Sequence, residues 1–143
     1  MRTKPFEIAL VGLMFATPAA AEQVQISDAW IRALPAKLPA AGYFTLRNTG
    51  ANAVTLTAAK SSACGMLMLH KSMEMGGMGS MEDVSGVAVP AGGTVSFAPG
   101  GYHLMCMDST PALRPGASVP VTLLFKSGEK LTAQFAVRNA AGK

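Results

Sequence analysis

Charged and aromatic residues are scarce in this chain, and each shortage excludes a class of protein. Only 14% of the residues are charged and 6% are aromatic, with a single tryptophan. The lysines and arginines are scattered singly, so the chain has no basic run with interleaved aromatics, and nucleic acid is not an expected partner. A weakly charged chain that is 50% hydrophobic is typical of a folded domain and not of a disordered one.

Histidine is scarcer still, with two residues in the chain, His70 and His103. No Ser/His/Asp set and no pair of carboxylates suggests acid–base or nucleophilic catalysis, so we expect that the protein is not an enzyme. A long apolar run is also missing. The apolar segment 8–16 is far shorter than the ~18 residues needed to cross a bilayer.

The first 21 residues are typical of a secretory signal peptide. Arg2 and Lys4 precede the apolar segment, and Ala19, Ala20 and Ala21 supply the small residues of a cleavage site. We therefore predict a signal peptide over residues 1–21, one domain over residues 22–143, and a mature protein in the periplasm. No cysteine lies near the cut, so we expect no lipid anchor and no other stable membrane anchor.

Beyond the leader, short β-rich runs alternate with glycine, proline, asparagine and serine. This pattern predicts eight or nine short strands and an all-β sandwich or barrel. Pro35, Pro39 and the small residues of 40–42 predict a loop after the first strand. The glycine-containing run 71–80 predicts a second, flexible loop.

Methionine is the abundant residue. The chain has ten, and apart from Met1 and Met14 all of them lie between Cys64 and Met107, together with both histidines and both cysteines. Thioether and imidazole groups are neutral ligands that suit Cu(I), whereas carboxylates suit hard ions. This stretch therefore indicates a copper site.

Cys64 and Cys106 leave three interpretations. A structural disulfide fits an oxidising compartment and an even cysteine count. A reactive or copper-binding thiol at Cys106, next to Met105, is the rival, although strand alternation places Cys106 on the face opposite His103. Two buried free thiols are the third interpretation.

The candidate ligands follow from strand geometry. Side chains on a strand alternate with a period of two, so His103 and Met105 face the same side and present an imidazole and a thioether together. His70 ends a strand predicted over 66–70, and Met81 lies at the far end of the flexible loop. Of the other methionines, Met66 and Met68 are most simply core residues, and Met107 is a spare thioether on the face of Met105.

The spacing of these four residues is distinctive. Ten residues separate His70 from Met81, and twenty-one separate Met81 from His103, which is followed one residue later by Met105. This H-x10-M-x21-H-x-M pattern resembles the metal motif of the periplasmic copper chaperones of the PCu(A)C family. Further matches to that family are residues 28–33, 41–50 and 99–105.

The resemblance implies a cupredoxin-like Greek-key β-sandwich that binds one Cu(I) at an exposed site through His70, Met81, His103 and Met105. It also implies delivery of copper to the apo Cu(A) domain of cytochrome c oxidase, directly or through a Sco-type thiol protein. We expect a monomer. Some family members carry a His/Met-rich C-terminal tail with a second copper site, and we expect no such site after Asn139.

Two other functions compete with the chaperone. A copper-sequestering protein for metal tolerance would use the same site and differ only in where the copper goes. An electron-transfer cupredoxin would need two histidines and a cysteine with a weak axial methionine, and the order of residues here lacks a cysteine between two ligand histidines.

Overall fold

The computed structural model describes residue 12 and residues 23–35, 38–75 and 78–143. The predicted signal peptide and its cleavage site after Ala21 lie outside the described residues. Within the part of the chain that is described, no helix has the length and apolar character needed to cross a membrane.

The described residues form ten β-strands, where the sequence predicts eight or nine, and the all-β prediction is confirmed. The strands are β1 Val24–Arg32, β2 Ala40–Asn48, β3 Val54–Lys60, β4 Cys64–Met75, β5 Met78–Asp83, β6 Val87–Val89, β7 Thr94–Phe97, β8 Tyr102–Ser109, β9 Ser118–Phe125 and β10 Lys130–Arg138.

All ten strands belong to one hydrogen-bonded sheet that folds over on itself. The order is β5-β4-β8-β2-β1-β10-β9-β3-β6, with β7 paired to β2, and β1 and β10 run parallel to each other. β3 and β4 contact each other although five strands separate them in this order. The two ends of the sheet therefore face each other as the layers of a sandwich.

The core between the layers is apolar and aromatic. Its largest fully buried side chains include Phe44, Leu46, Leu104 and Phe135. The ring of Phe44 stacks on Phe97 with a centroid separation of 4.3 Å. Apolar burial of this kind is the main favourable term in folding, and here it holds β2 and β8 against the rest of the sandwich.

The predicted loop at Ala40–Gly42 is wrong, because these residues are the first three of β2. They pair with β8, which places Ala41 directly opposite Met105. The small side chains let the two strands approach closely: a Cβ on Gly42 would lie 3.2 Å from the Cβ of Leu104. The residues that suggested a loop therefore serve as a close strand contact.

The predicted flexible loop over 71–80 is also wrong. β4 continues to Met75, and β5 begins at Met78, so this segment forms the two arms of a β-hairpin. The arms pair in regular antiparallel register, from Met75 opposite Met78 to His70 opposite Asp83. Backbone hydrogen bonding between the arms outweighs the weak local β-preference of a glycine-containing sequence.

Cys64 and Cys106 form a disulfide with a Cα–Cα distance of 5.5 Å. It joins the beginning of β4 to the middle of β8, and Cys106 is 1% exposed. The bond therefore ties together the two strands that carry both histidines, from the core side of the sheet.

Removal of this disulfide should lower the free energy of unfolding by about 4 kcal/mol, because it closes a loop of about 43 residues and restricts the unfolded chain. Urea unfolding of the oxidised protein and of the Cys64→Ala/Cys106→Ala variant measures the difference. Reductant should destabilise the wild type and leave the double variant unchanged. Equal unfolding midpoints for oxidised and reduced wild type would contradict this expectation.

Candidate metal centre

The pairing of β4 with β8 brings the two histidines together. His70 lies directly opposite His103, and one step along the strands Met68 lies opposite Met105. Residues that are paired across strands, or two apart on one strand, share a face of the sheet. We call this face of β4 and β8 the donor face; it carries Met66, Met68, His70, His103, Met105 and Met107.

The opposite face of the same two strands belongs to the core. Leu69, Leu104 and Cys106 are buried there, and Leu67 packs against them. Sequence alternation correctly places Cys106 opposite His103. Since its sulfur is bonded to Cys64, no free thiol remains among the described cysteines, and the interpretation of Cys106 as a copper-binding thiol is wrong.

The interpretation of Met66 and Met68 as core residues is also wrong. Both lie on the donor face, and Met66 is 53% exposed while Met68 is half-buried. The sequence does hold a signal for Met68, because Met68 precedes His70 by two residues on a strand, as His103 precedes Met105. Two adjacent cross-strand pairs, His70 with His103 and Met68 with Met105, therefore lie next to each other on the donor face.

His103 is held in one tautomer. Its Nδ1 lies 3.3 Å from the carbonyl oxygen of Gly101, to which it can only donate, and the same oxygen accepts the backbone N–H of Ser72 at 3.0 Å. With the proton on Nδ1, the Nε2 atom carries the free lone pair. This Nε2 is buried and has no hydrogen-bond partner in the part of the chain that the structure describes.

The surroundings of His103 favour its neutral form. The residue is 3% exposed, and burial lowers the pKa of its imidazole below the ordinary value of 6.5. The hydrogen bond to Gly101 opposes that shift, and the neighbouring charge of His70 adds to it. A neutral imidazole is the form that binds a metal, so His103 is ready to act as a ligand at neutral pH.

His70 lies close to a carboxylate but makes no well-aligned hydrogen bond with it. Its Nε2 lies 2.8 Å from Oδ1 of Asp83, yet neither ring nitrogen makes a hydrogen bond of good geometry. The carboxylate therefore lies off the direction of the ring N–H. Because Asp83 is 85% exposed, water screens the pair and the carboxylate is free to turn away. The rings of His70 and His103 meet edge to face, with centroids 5.6 Å apart.

The four predicted ligands differ in their exposure and in their position in the sheet. Met105 is nearly buried at 9% exposed, whereas Met81 is 62% exposed on the edge strand β5. Met81 pairs with Ser72 and shares the face of His70, but β4 separates it from His103. Beside Met81 lies an open cavity of about 480 Å³, lined by Ser72, Met73, Gly79, Ser80, Met81 and Gly100.

The donor set suits a soft ion. Within the described residues, no three His, Cys, Asp or Glu side chains lie together in a way that would hold a metal. The arrangement therefore differs from the nitrogen, sulfur and carboxylate sites that hold zinc. What the donor face offers is neutral imidazole nitrogen and thioether sulfur, which match Cu(I).

Fold and donor face together define a cupredoxin-like β-sandwich domain with a cluster of imidazole and thioether groups on one face of β4 and β8. Residues 24–137 match the family described as "Putative lipoprotein LpqE-like", and the chain belongs to that family. A curated relative, "Putative lipoprotein Lxx21020" of Leifsonia xyli subsp. xyli, is 35% identical over 123 residues, which cover 85% of this chain and 74% of that protein.

Solved structures show the same architecture. The solution structure of CuI-DR1885 from Deinococcus radiodurans is 30% identical with a TM-score of 0.63, over 77% of this chain and 74% of that one. The copper-bound PCuAC domain from PmoF2 has a TM-score of 0.67 at 22% identity, over 82% and 93%. The cupredoxin-like Greek-key prediction is confirmed, and the resemblance to PCuAC domains is supported in the fold.

The lowered pKa of His103 should make the metal-free protein less stable in acid. Between that pKa and 6.5 the unfolded chain binds more protons at this position than the folded chain. Stability from this group is therefore fully present above about pH 6.5 and is lost as the pH falls through the folded pKa. Urea unfolding with a chelator present, from pH 5 to 7.5, measures the slope.

The matched control is His103→Asn, whose amide can still donate to Gly101. It should show a smaller loss of stability between pH 6.5 and 5 than the wild type. The same pH slope in both proteins would mean that His103 is not the group responsible.

Proposed function

We propose that this protein is an exported metallochaperone that binds one Cu(I) and delivers it for assembly of the Cu(A) centre of cytochrome c oxidase. The observation that carries the proposal is the cross-strand pair of His70 and His103, in which the buried Nε2 of His103 has no hydrogen-bond partner among the described residues, with Met105 two residues from His103. The 30% identity to CuI-DR1885, whose name records Cu(I), supports the choice of ion. Copper is the cargo in this proposal, and the protein is not an enzyme.

The proposed ligands are His70, His103, Met105 and Met81. The first three lie on the adjacent strands β4 and β8. Met81 has to reach over β4 from the edge strand, and its 62% exposure means that few contacts hold its side chain in place. We propose that Met81 closes over bound copper and that Asp83, which is mostly exposed, turns away from His70 when copper binds.

Release is as much a part of the proposal as binding. All four ligands are neutral, whereas a storage site gains affinity from anionic thiolates. An exposed ligand on an edge strand can leave first, which opens a coordination position for an incoming ligand of the acceptor. We propose an apo Cu(A) domain or a Sco-type thiol protein as that acceptor, and a monomeric donor.

The location is proposed to be the periplasm, without a stable membrane anchor. The names of the family and of the relative from Leifsonia xyli describe lipoproteins, which agrees with an exported protein but not with the absence of a lipid anchor. In this chain both cysteines, Cys64 and Cys106, are joined in a disulfide, so neither offers a thiol for a lipid.

Electron transfer is a weaker candidate than copper delivery. A blue-copper site needs a cysteine thiolate beside two histidines. Here Cys106 is oxidised and lies on the core face of β8, opposite the face of His103. Copper sequestration remains the second candidate, because it would use the same four ligands.

Loss of two central ligands should remove tight copper binding. The variant His103→Asn/Met105→Leu should bind Cu(I) on the order of 100-fold or more weakly, since loss of groups that merely support a ligand already costs 10–100-fold. Met81→Leu should weaken binding less, because its thioether is exposed before copper binds. Competition with a chromogenic Cu(I) chelator under anaerobic conditions measures each affinity.

Met73→Leu is the comparison variant, because Met73 lines the cavity beside Met81 but lies an odd number of residues from His70 on β4, and so off the donor face. It should bind copper as the wild type does. A wild-type affinity for His103→Asn/Met105→Leu would refute the site.

Delivery predicts faster metal transfer than free exchange allows. The copper-loaded protein should metallate an apo Cu(A) domain, or a Sco-type protein, faster than copper at the same free concentration, because acceptor and donor ligands exchange within one complex. Stopped-flow absorbance of the Cu(A) centre measures the rate. Cells without the protein should lose oxidase activity mainly under copper limitation. Copper sensitivity with unchanged oxidase activity at low copper would favour sequestration instead.

A further inference from the structure

The donor face continues beyond the proposed ligands as a row of thioethers. Three cross-strand pairs follow one another along β4 and β8: His70 with His103, Met68 with Met105, and Met66 with Met107. The last pair and Met68 are not used by the proposed copper site. Met68 lies two residues and Met66 four residues from His70, and Met107 lies four residues from His103, all on the same face.

Core packing does not explain these three methionines. Methionine is a common core filler, but the core side of the two strands is occupied by Leu67 and Cys106. Met66, Met68 and Met107 point to the other side, where Met66 is 53% exposed and the other two are half-buried. A row of partly exposed thioethers on the same face as the histidine pair calls for a chemical explanation.

The spacing allows shared coordination. Directly opposite residues of an antiparallel pair have Cβ atoms about 4.5–5.5 Å apart, so the flexible side chains of Met66 and Met107 can meet. A strand rises about 3.4 Å per residue, which puts Met68 about 7 Å further along and within reach of the same point. Three neutral sulfurs can then surround one ion.

We propose that Met66, Met107 and Met68 form a second, weaker Cu(I) site on the donor face. Thioether sulfur selects Cu(I) among physiological ions, and a site without imidazole or thiolate holds it less firmly than the histidine site. This inference rests on the proposed function in one respect, namely that Cu(I) is the ion the donor face receives. Its residues are distinct from the four ligands proposed above.

The position of this site gives it a role in loading. The Met66–Met107 pair lies about 14 Å from the His70–His103 pair, and the Met68–Met105 pair lies halfway. Copper can therefore pass from the exposed methionines to the histidines in two steps of about 7 Å, with sulfur bound throughout. Its charge stays at +1, so no electron donor or acceptor is needed.

The test is an anaerobic titration of the full mature chain with Cu(I), in competition with bicinchoninate. The wild type should bind a weaker equivalent after the tight one. Met66→Leu/Met107→Leu should bind one equivalent fewer and keep the affinity of the tight site within about twofold. Leucine preserves the volume and the apolar surface, so the lost equivalent reports the thioethers.

A second measurement identifies the residues directly. With the methionine methyl groups labelled with 13C, the signals of Met66, Met68 and Met107 should shift during the second equivalent and not during the first. Met73→Leu, which changes β4 on its other face, should leave the stoichiometry unchanged. The protein with two equivalents should elute at the size of the metal-free protein.

The inference is overturned if the wild type takes up no weaker equivalent, if Met66→Leu/Met107→Leu keeps it, or if it forms only between two copies of the chain. Failure of the main site has a different signature. In that case His70→Asn/His103→Asn would keep its tight equivalent, whereas the present inference expects that variant to lose the tight equivalent and keep the weak one.

Discussion

The antiparallel register between β4 and β8 is the constraint on which the rest of the site depends. It places His70 opposite His103, and a slip of one residue would turn the histidine and methionine side chains of one strand into the core. The core side prevents such a slip, because Leu69 and Leu104 are buried there and Cys106 is bonded to Cys64. Apolar burial and one covalent bond on the inner face therefore position the polar donors on the outer face. The metal chemistry proposed for this protein therefore depends directly on its hydrophobic core.

Burial has a second consequence at the histidines. An imidazole removed from water resists protonation, and the carbonyl oxygen of Gly101 holds the remaining proton of His103 on Nδ1. The same carbonyl accepts the backbone N–H of Ser72, so the turn before β8 and the ring of His103 are fixed through one oxygen atom. The carbonyl of Gly101 therefore orients the neutral ring of His103 and fixes the backbone before β8 at the same time. The proposed site would bind copper through soft neutral donors and not through charge, which is compatible with the proposed release of copper.

The edge strand β5 supplies the exposed half of the arrangement. β5 is an edge strand that pairs only with β4 among the described strands, and its side chains Met81 and Asp83 are exposed. Residues on an edge lose few packing contacts when they move, whereas Met105 and His103 are held by neighbours on both sides. The central strands thus provide fixed donors and the edge strand provides adjustable ones. This division fits a protein in which capture and release use the same face.

The amino-acid sequence alone determined the all-β class, the clustering of soft donors, and the common face of His103 and Met105, because strand alternation is a local property of the backbone. It also placed Cys106 on the opposite face for the same reason. Only the tertiary structure decided that Met68 lies opposite Met105 and that residues 71–75 continue a strand. Both depend on which distant strands pair and in which register, and that choice is made by burial of the core and by backbone hydrogen bonds between segments far apart in the chain. Local residue preferences, such as those of glycine and alanine in 40–42, cannot reveal it.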